Sequence, residues 1–352
     1  MVLPVGPVFI AVLGDWYHMA EAVVSSRSDD QLDFLAQHGW VQAEVTPLIP
    51  DASFRSYKRL SLNGSRRMLM DAPPSHENID AYLDVTAHLR SLGLRVAEVY
   101  AEDRTRGFAL IEDLGDDTFT RLLAAGADRK ALYLTATDIL AHLHSSAQAT
   151  GLDVPAYDMP TLLREAALFA DWFVPAVRGA AVSGGEREDF LGAFEEALAG
   201  VAADRRALVL RDYHVDNLMI VPGGDGMAGC ALLDYQDALI GSPAYDVISL
   251  IEDARCDIPP EVRVAVLTHY FKARPELDRA AFITDMQLLG AQRSAKIAGI
   301  FVRLSRRDNK HVYLKHIPRV VHYIDRCLAA PALARVRASV RAMLPEYPDV
   351  AL

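Results

Sequence analysis

Cysteine is scarce: the 352 residues hold three, Cys230, Cys256 and Cys327. They stand too far apart for a CxxC metal site and are too few for a disulfide framework, which points to a reduced, cytoplasmic setting. Positive charge is short as well. Against 47 Asp and Glu there are 36 Lys and Arg, a formal net charge of −11. That balance argues against a nucleic acid or an anionic membrane as partner, because phosphate groups attract basic surfaces. No apolar run approaches the ~20 residues that span a bilayer. No Lys or Arg precedes Arg27, so the apolar stretch Val8–Leu13 lacks the basic start of a secretory signal. Residues 1–27 read as an N-terminal appendage without an assigned role. A G-x4-G-K-[ST] phosphate loop is also absent. What is present, 51% hydrophobic and 24% charged residues, describes an ordinary globular chain long enough for two lobes with their own cores.

The order of elements is informative. Ser28-Asp29-Asp30-Gln31 ahead of Leu32, Phe34 and Leu35 predicts a capped helix ending near Gly39. Strand-like runs follow at 43–49, 57–62 and 67–71, the last two joined by Asn63-Gly64, a two-residue hairpin signal. Residues 76–92 have helical spacing, and 96–101 and 107–111 read as two more strands. From Asp117 onward long apolar-periodic helices dominate, at about 117–125, 128–149, 160–178, 186–203, 259–273 and 279–304. Short strands near 207–210, 218–221 and 230–234 interrupt them. The expected fold is therefore α+β. A small antiparallel sheet lobe with one helix spans 28–114, and a large, mainly α-helical lobe spans 115–352, with the boundary at Glu112-Asp113-Leu114-Gly115.

The chemistry concentrates in Leu208–Ile220 and Leu232–Ala238. Asp212 and Asn217 lie five apart on a loop between two strands, and Asp234 closes the hairpin that follows. Acceptor-bearing side chains at strand ends can converge on one point. One carboxylate then takes the proton of an attacking hydroxyl, while an Asn oxygen and a second carboxylate hold Mg²⁺ against phosphates. Turn-capping by Asp212 and Asn217 is the plainer alternative. Gly224–Gly229 matches G-x-G-x-x-G but opens no helix, so it reads as a hairpin turn rather than a dinucleotide site. His144 reads as a core histidine.

Arg211-Asp212-Tyr-His-Val-Asp-Asn217 resembles the catalytic loop of protein-kinase-like enzymes, and Leu-Leu-Asp234 resembles their second metal-binding motif. The version here is similar to the aminoglycoside phosphotransferase/choline kinase branch. Within that branch, Pro50-Asp-Ala-Ser-Phe-Arg-Ser-Tyr57, Leu69-Met-Asp-Ala-Pro-Pro74, Asp234-Tyr-Gln-Asp-Ala-Leu239, Pro243-Ala-Tyr-Asp246 and Gln292-Arg293 through Arg303 resemble the bacterial anomeric kinases of N-acetylmuramate and N-acetylglucosamine. The resemblance implies a protein-kinase-like two-lobed fold, with the site in the cleft between lobes. It also implies ATP as co-substrate, Mg²⁺, and a small amino sugar as acceptor for a monomeric enzyme of cell-wall recycling. It makes Asp212 the base, Asn217 and Asp234 the metal ligands, and Asp246 a buried brace of the catalytic loop. Ala52, Ser53, Phe54 and Arg55 would cover the phosphates. Glu112 and Leu114 would bind adenine through their backbone, or serve only as a linker.

Two departures stand out. The lysine expected on the third strand is replaced near Met70, and no Gly-rich loop covers the nucleotide. On the acceptor side, eight Lys/Arg and one acid between Arg293 and Arg319 make a basic stretch. Arg293, Lys296, Arg303 and Arg307 share an arc of about 80°. With His214, Asp237 and Arg255 they are candidate acceptor contacts, suited to a carboxylate such as a lactyl group. Pairing with acids elsewhere is the other reading of that face. A kinase of another small alcohol, or a non-catalytic nucleotide-binding scaffold, remain the alternative functions.

Overall fold

The computed structural model describes residues 27–48 and 54–350. Its chain divides into two compact units. The first runs to Asp84 and takes up Ala97–Leu114; the second comprises Val85–Val96 and everything from Gly115 onward.

The first unit is one antiparallel sheet. Strands β1 (Glu44–Pro47), β2 (Ser56–Leu62), β3 (Ser65–Asp71), β4 (Val99–Asp103) and β5 (Phe108–Ile111) lie in the order β1-β2-β3-β5-β4. Leu62 pairs with Ser65 across Asn63 and Gly64, whose φ values of 50° and 78° fit the two-residue turn predicted for that pair. Gly107 allows β5 to run beside the end of β3. A Cβ there would lie 2.0 Å from the Ala72 carbonyl oxygen, so no other residue fits. Helix α1 (27–37) lays Phe34 and Leu35 on Leu60, Leu69, Phe108 and Leu110, the alternate residues of three strands. Asp71 ends β3 buried, held by Arg27 and Gln31 of α1.

Helix α2 (Ile79–Ser91) starts in the first unit and ends in the second. In the second unit follow α3 (Phe119–Ala124), α4 (Arg129–Ser145), α5 (Met159–Leu168), α6 (Val174–Arg178) and α7 (Gly184–Leu198). After them come α8 (Ala244–Ile251), α9 (Pro260–Ala273), α10 (Arg279–Asp308), α11 (Ile317–Leu328) and α12 (Ala334–Met343). The 30-residue α10 is the central helix. Seventeen of its residues are buried, and it packs on α5, α8 and α11. Such burial on most sides is what an inner helix shows. A π-turn at Phe169–Phe173 joins α5 to α6, and beside it α10 comes in on Gly299, where a Cβ would meet the Leu168 backbone at 2.3 Å. None of the described helices is long and apolar enough to cross a membrane.

Two short ladders sit among these helices. Strand β6 (Ala207–Val209) pairs with β9 (Leu239–Gly241), and β7 (Leu218–Ile220) pairs with β8 (Cys230–Leu232). Strand β9 and helices α8, α11 and α12 lie outside the elements expected from the sequence. Gly226–Gly229 is a 3₁₀ turn inside the β7–β8 hairpin, in keeping with the turn reading of the glycine-rich pattern.

Candidate active site

The β6–β7 connection carries Asp212 and Asn217, and the two ladders draw them toward Asp234. The Asn217 amide faces its own loop: Nδ2 donates to the Asp212 carbonyl at 2.9 Å and lies 3.4 Å from His214 Nε2. The Asn217 carbonyl in turn accepts from Leu233 N at 2.9 Å, one residue before Asp234, and Leu218 faces Leu232 across the ladder. Hydrogen bonds thus tie Asn217 to Asp212 and to Leu233, the residue before Asp234. Asp212 and Asn217 are half-buried and Asp234 is exposed. Asp234 lies two residues past β8 instead of closing the strand as expected.

The backbone is held under strain at one end of this group. Arg211 has a φ of 68°, and such a left-handed value costs an L-residue of its type about 1 kcal/mol or more. The other described non-glycine residues with positive φ, Asn63, Asp234 and Asn309, are of the types that tolerate it.

Asp246 of α8 supplies the restraint. It is fully buried and accepts from Leu210 N at 2.6 Å and Arg211 N at 2.9 Å, the bracing role implied by the resemblance. His144 Nε2 stands 3.7 Å from it, with Nδ1 2.9 Å from the Tyr270 hydroxyl. Burial lowers the His144 pKa, so the imidazole is neutral there. Asp253 continues the brace, accepting from Val215 N at 3.3 Å and from Arg255 N at 2.8 Å. Arg255 Nε reaches Asp216 Oδ2 at 2.6 Å. His214 is 3% exposed, and burial, followed by the charge of Arg255, pushes its pKa down to about 3. It is a neutral group whose Nδ1 has no partner.

Could these residues hold a divalent cation? With Asn217 Nδ2 turned to the Asp212 carbonyl, its Oδ1 is the atom left for a hard cation, and Asp234 offers a carboxylate that also accepts from Gln236 at 2.9 Å. Among the described residues no three His, Cys, Asp or Glu side chains group to hold a metal unaided. Two oxygen ligands suit Mg²⁺, which completes its octahedron with substrate oxygens and water.

The other candidate residues divide. Ala52 and Ser53 lie outside the described residues. Phe54 is 67% exposed and stacks on His76, with ring centroids 4.5 Å apart. Its N–H donates to Glu77 Oε1 at 3.1 Å, and Arg55 pairs with the same carboxylate at 3.4 Å. Glu112 exchanges bonds with Glu98 at 2.8 and 3.2 Å, and Leu114 is buried. Between them Asp113 takes Arg59 of β2 at 2.8 Å, a pairing that the sequence reading missed. Met70 is fully buried between Tyr57 and Ala109, so the expected lysine position belongs to the core.

On the basic face of α10, Arg293 and Lys296 are 3% and 9% exposed and pair within the helical unit. Arg293 Nη1 donates to the Glu252 carbonyl at 3.1 Å, and Lys296 Nζ meets Glu165 Oε1 at 3.1 Å. Arg303 is half-buried, its Nε without a partner and its pKa lowered by burial and by Arg307. Asp237 is exposed, and its carbonyl accepts from Arg211 Nη1 at 3.2 Å. The residue overlooked is Glu165. A carboxylate one turn from Leu162 on the apolar stripe of α5, beside Ala166, is the signal that could have found it.

The phosphotransferase enzyme family matches residues 44–283, a span that includes Asp212, Asn217 and Asp234. The chain belongs to that family. An N-acetylmuramate/N-acetylglucosamine kinase of Caulobacter vibrioides is 34% identical over 89% of this chain and 96% of its own. Its counterpart from Pseudomonas aeruginosa is 33% identical over 89% of this chain and 93% of its own. Among solved structures, a choline/ethanolamine kinase family protein from Mesorhizobium loti superposes with a TM-score of 0.61 over 90% of this chain and 99% of its own, at 13% identity. The ADP-bound aminoglycoside phosphotransferase APH(2'')-Ib gives 0.57 over 85% of this chain and 99% of its own, also at 13% identity. The phosphotransferase shares with both the protein-kinase-like fold expected from its sequence.

Proposed function

We propose that this phosphotransferase moves the γ-phosphate of ATP to the anomeric hydroxyl of N-acetylmuramate or N-acetylglucosamine, yielding the 1-phosphate used in cell-wall recycling. The observation that carries the reading is the agreement of relatives named for both sugars over nine-tenths of the chain; the bonds that tie Asn217 to Asp212 and to Leu233 support it. Asp212 orients the attacking hydroxyl and accepts its proton. Asn217 and Asp234 hold Mg²⁺, which supplies the charge that offsets the phosphates. Catalysis on this scheme is positioning and electrostatics, with little covalent work for the protein. Phe54, Arg55, Glu112 and Leu114 are the nucleotide contacts proposed in the sheet unit. His214, Asp237, Arg255 and Arg303 remain the acceptor candidates, and the unpartnered His214 Nδ1 is a buried donor or acceptor suited to a neutral sugar group. Its three free thiols fit a cytoplasmic enzyme, and we read it as a monomer.

The test is an acceptor panel with ATP and Mg²⁺, following ADP release, and phosphorus NMR of the product. Phosphate on the anomeric oxygen of either amino sugar is expected. Phosphate on the 6-hydroxyl would refute the anomeric reading, and turnover of choline or an aminoglycoside in place of the sugars would refute the acceptor.

A further inference from the structure

Glu165 is a heavily engaged carboxylate of the helical unit, and nothing in the phosphoryl-transfer scheme so far uses it. It lies buried on α5 and takes four donors. Oε1 accepts from Arg211 Nη2 and from Lys296 Nζ at 3.1 Å; Oε2 accepts from the Tyr157 hydroxyl and from Gln292 Nε2 at 3.2 Å. Burial alone would raise its pKa, but the charges of Lys296 and Arg211 with the hydrogen bonds from Tyr157 and Gln292 together keep it below the usual carboxylate value.

What Glu165 holds is the residue next to Asp212. Arg211 is fixed from four directions. Its N–H goes to Asp246 Oδ1 at 2.9 Å, its carbonyl accepts from Ser249 Oγ at 3.2 Å, Nη1 donates to the Asp237 carbonyl at 3.2 Å, and Nη2 goes to Glu165. Asp237 lies three residues after Asp234, so one guanidinium bridges the loop of the base and the loop of the metal ligand. That bridge is a planar, two-armed one, which a lysine could not reproduce. It also sits on a residue whose φ of 68° would relax if its anchors were removed.

We propose that Glu165 is a positioning residue for phosphoryl transfer. By fixing Arg211 it sets the spacing between Asp212 and Asp234, with Lys296 as a second cation that balances the buried charge. Glu165, Arg211 and Lys296 together carry one net positive charge, and Asp212 is among the charges that favour the protonated forms of both cations. Lys296 is therefore part of the scaffold of the base and not an acceptor contact.

The inference rests on the kinase reading, and its test separates the two. Wild type, E165D, E165Q and the double variant E165Q/K296M are compared for kcat, for KM of ATP and of the amino sugar, and for thermal midpoint. E165D keeps the charge but withdraws the carboxylate by one methylene. Its kcat is expected to fall about 10–100-fold, since misplacement by ~1 Å at a reacting centre costs on that order; both KM values should stay within about threefold and the midpoint close to wild type. E165Q leaves two buried cations without a carboxylate and should lose stability. The double variant restores the wild-type net charge of the cluster, so its midpoint should recover while kcat stays low. Recovery of kcat together with the midpoint would overturn the proposal, as would wild-type kcat in E165D. Failure of both E165D and the double variant to fold would make the cluster a stability element only, and overturn it too. A wild-type chain inert toward both sugars would instead refute the kinase reading.

Discussion

Removing the acceptor atoms of Asp246 tests the link between burial and catalysis most directly. Its carboxylate is inaccessible to solvent and satisfies two peptide N–H groups, those of Leu210 and Arg211, at 2.6 and 2.9 Å. A hydrogen bond to a charged group contributes about 1.5–3 kcal/mol, and an orphaned buried donor costs a similar amount. Asp246→Ala removes both bonds and should cost about 3–6 kcal/mol, a large part of the 5–15 kcal/mol that holds a typical domain. Asp246→Asn is the sharper probe. Its amide oxygen can serve one peptide, but its NH₂ group then meets the other N–H donor to donor, for an expected loss of about 2–4 kcal/mol. Arg211, released at its backbone, should move away from its left-handed φ, and kcat should drop at least about tenfold while the KM for ATP changes little. Urea denaturation gives the first quantity and steady-state turnover the second. A variant within about 0.5 kcal/mol of wild type, turning over at the wild-type rate, would mean that the brace holds nothing.

Three further outcomes are expected. Asp212→Asn should lower kcat by about 10²–10⁴-fold with a near-normal thermal midpoint, and full activity would remove the base. Below the ordinary histidine pKa of about 6.5, stability should fall with pH, because buried His144 and His214 resist protons that the unfolded chain binds. Each such group adds a slope of up to about 1.4 kcal/mol per pH unit. Urea midpoints that stay level between about pH 7 and pH 5.5 would contradict that burial, and His144→Gln should flatten the slope by its share. Gly299→Ala should cost about 2–3 kcal/mol or more, since its Cβ would meet the Leu168 backbone at 2.3 Å, where nothing can yield; a neutral result by calorimetry would show that α10 can shift.

Much of this was legible because it is local. Alternation marked the sheet strands and Asn63-Gly64 their tightest turn; the Asp212/Asn217/Asp234 spacing carried the resemblance to the phosphotransferase family that the chain matches. What escaped depends on distant partners. Strand β9 is three residues long and exists by pairing with β6, some thirty positions earlier. Helix α8 is buried at all eight positions, so no polar face betrays its period. Charge counting found Arg293 and Lys296 but not the way they face. That was decided by the Glu252 carbonyl and by the Glu165 carboxylate, the latter contributed by a helix more than a hundred residues away. Arg59 meeting Asp113 across the first unit is a case of the same kind.

The β7–β8 ladder has an engineering corollary. Leu218 opposite Leu232 and the Leu233-to-Asn217 bond set the backbone offset between Asn217 and Asp234, while residues 222, 223 and 225–228 of the crossover are exposed. An epitope tag or fluorophore spliced into this crossover would give a reporter that leaves the Asn217–Asp234 offset in place, a handle on the molecule away from the Asp212 loop.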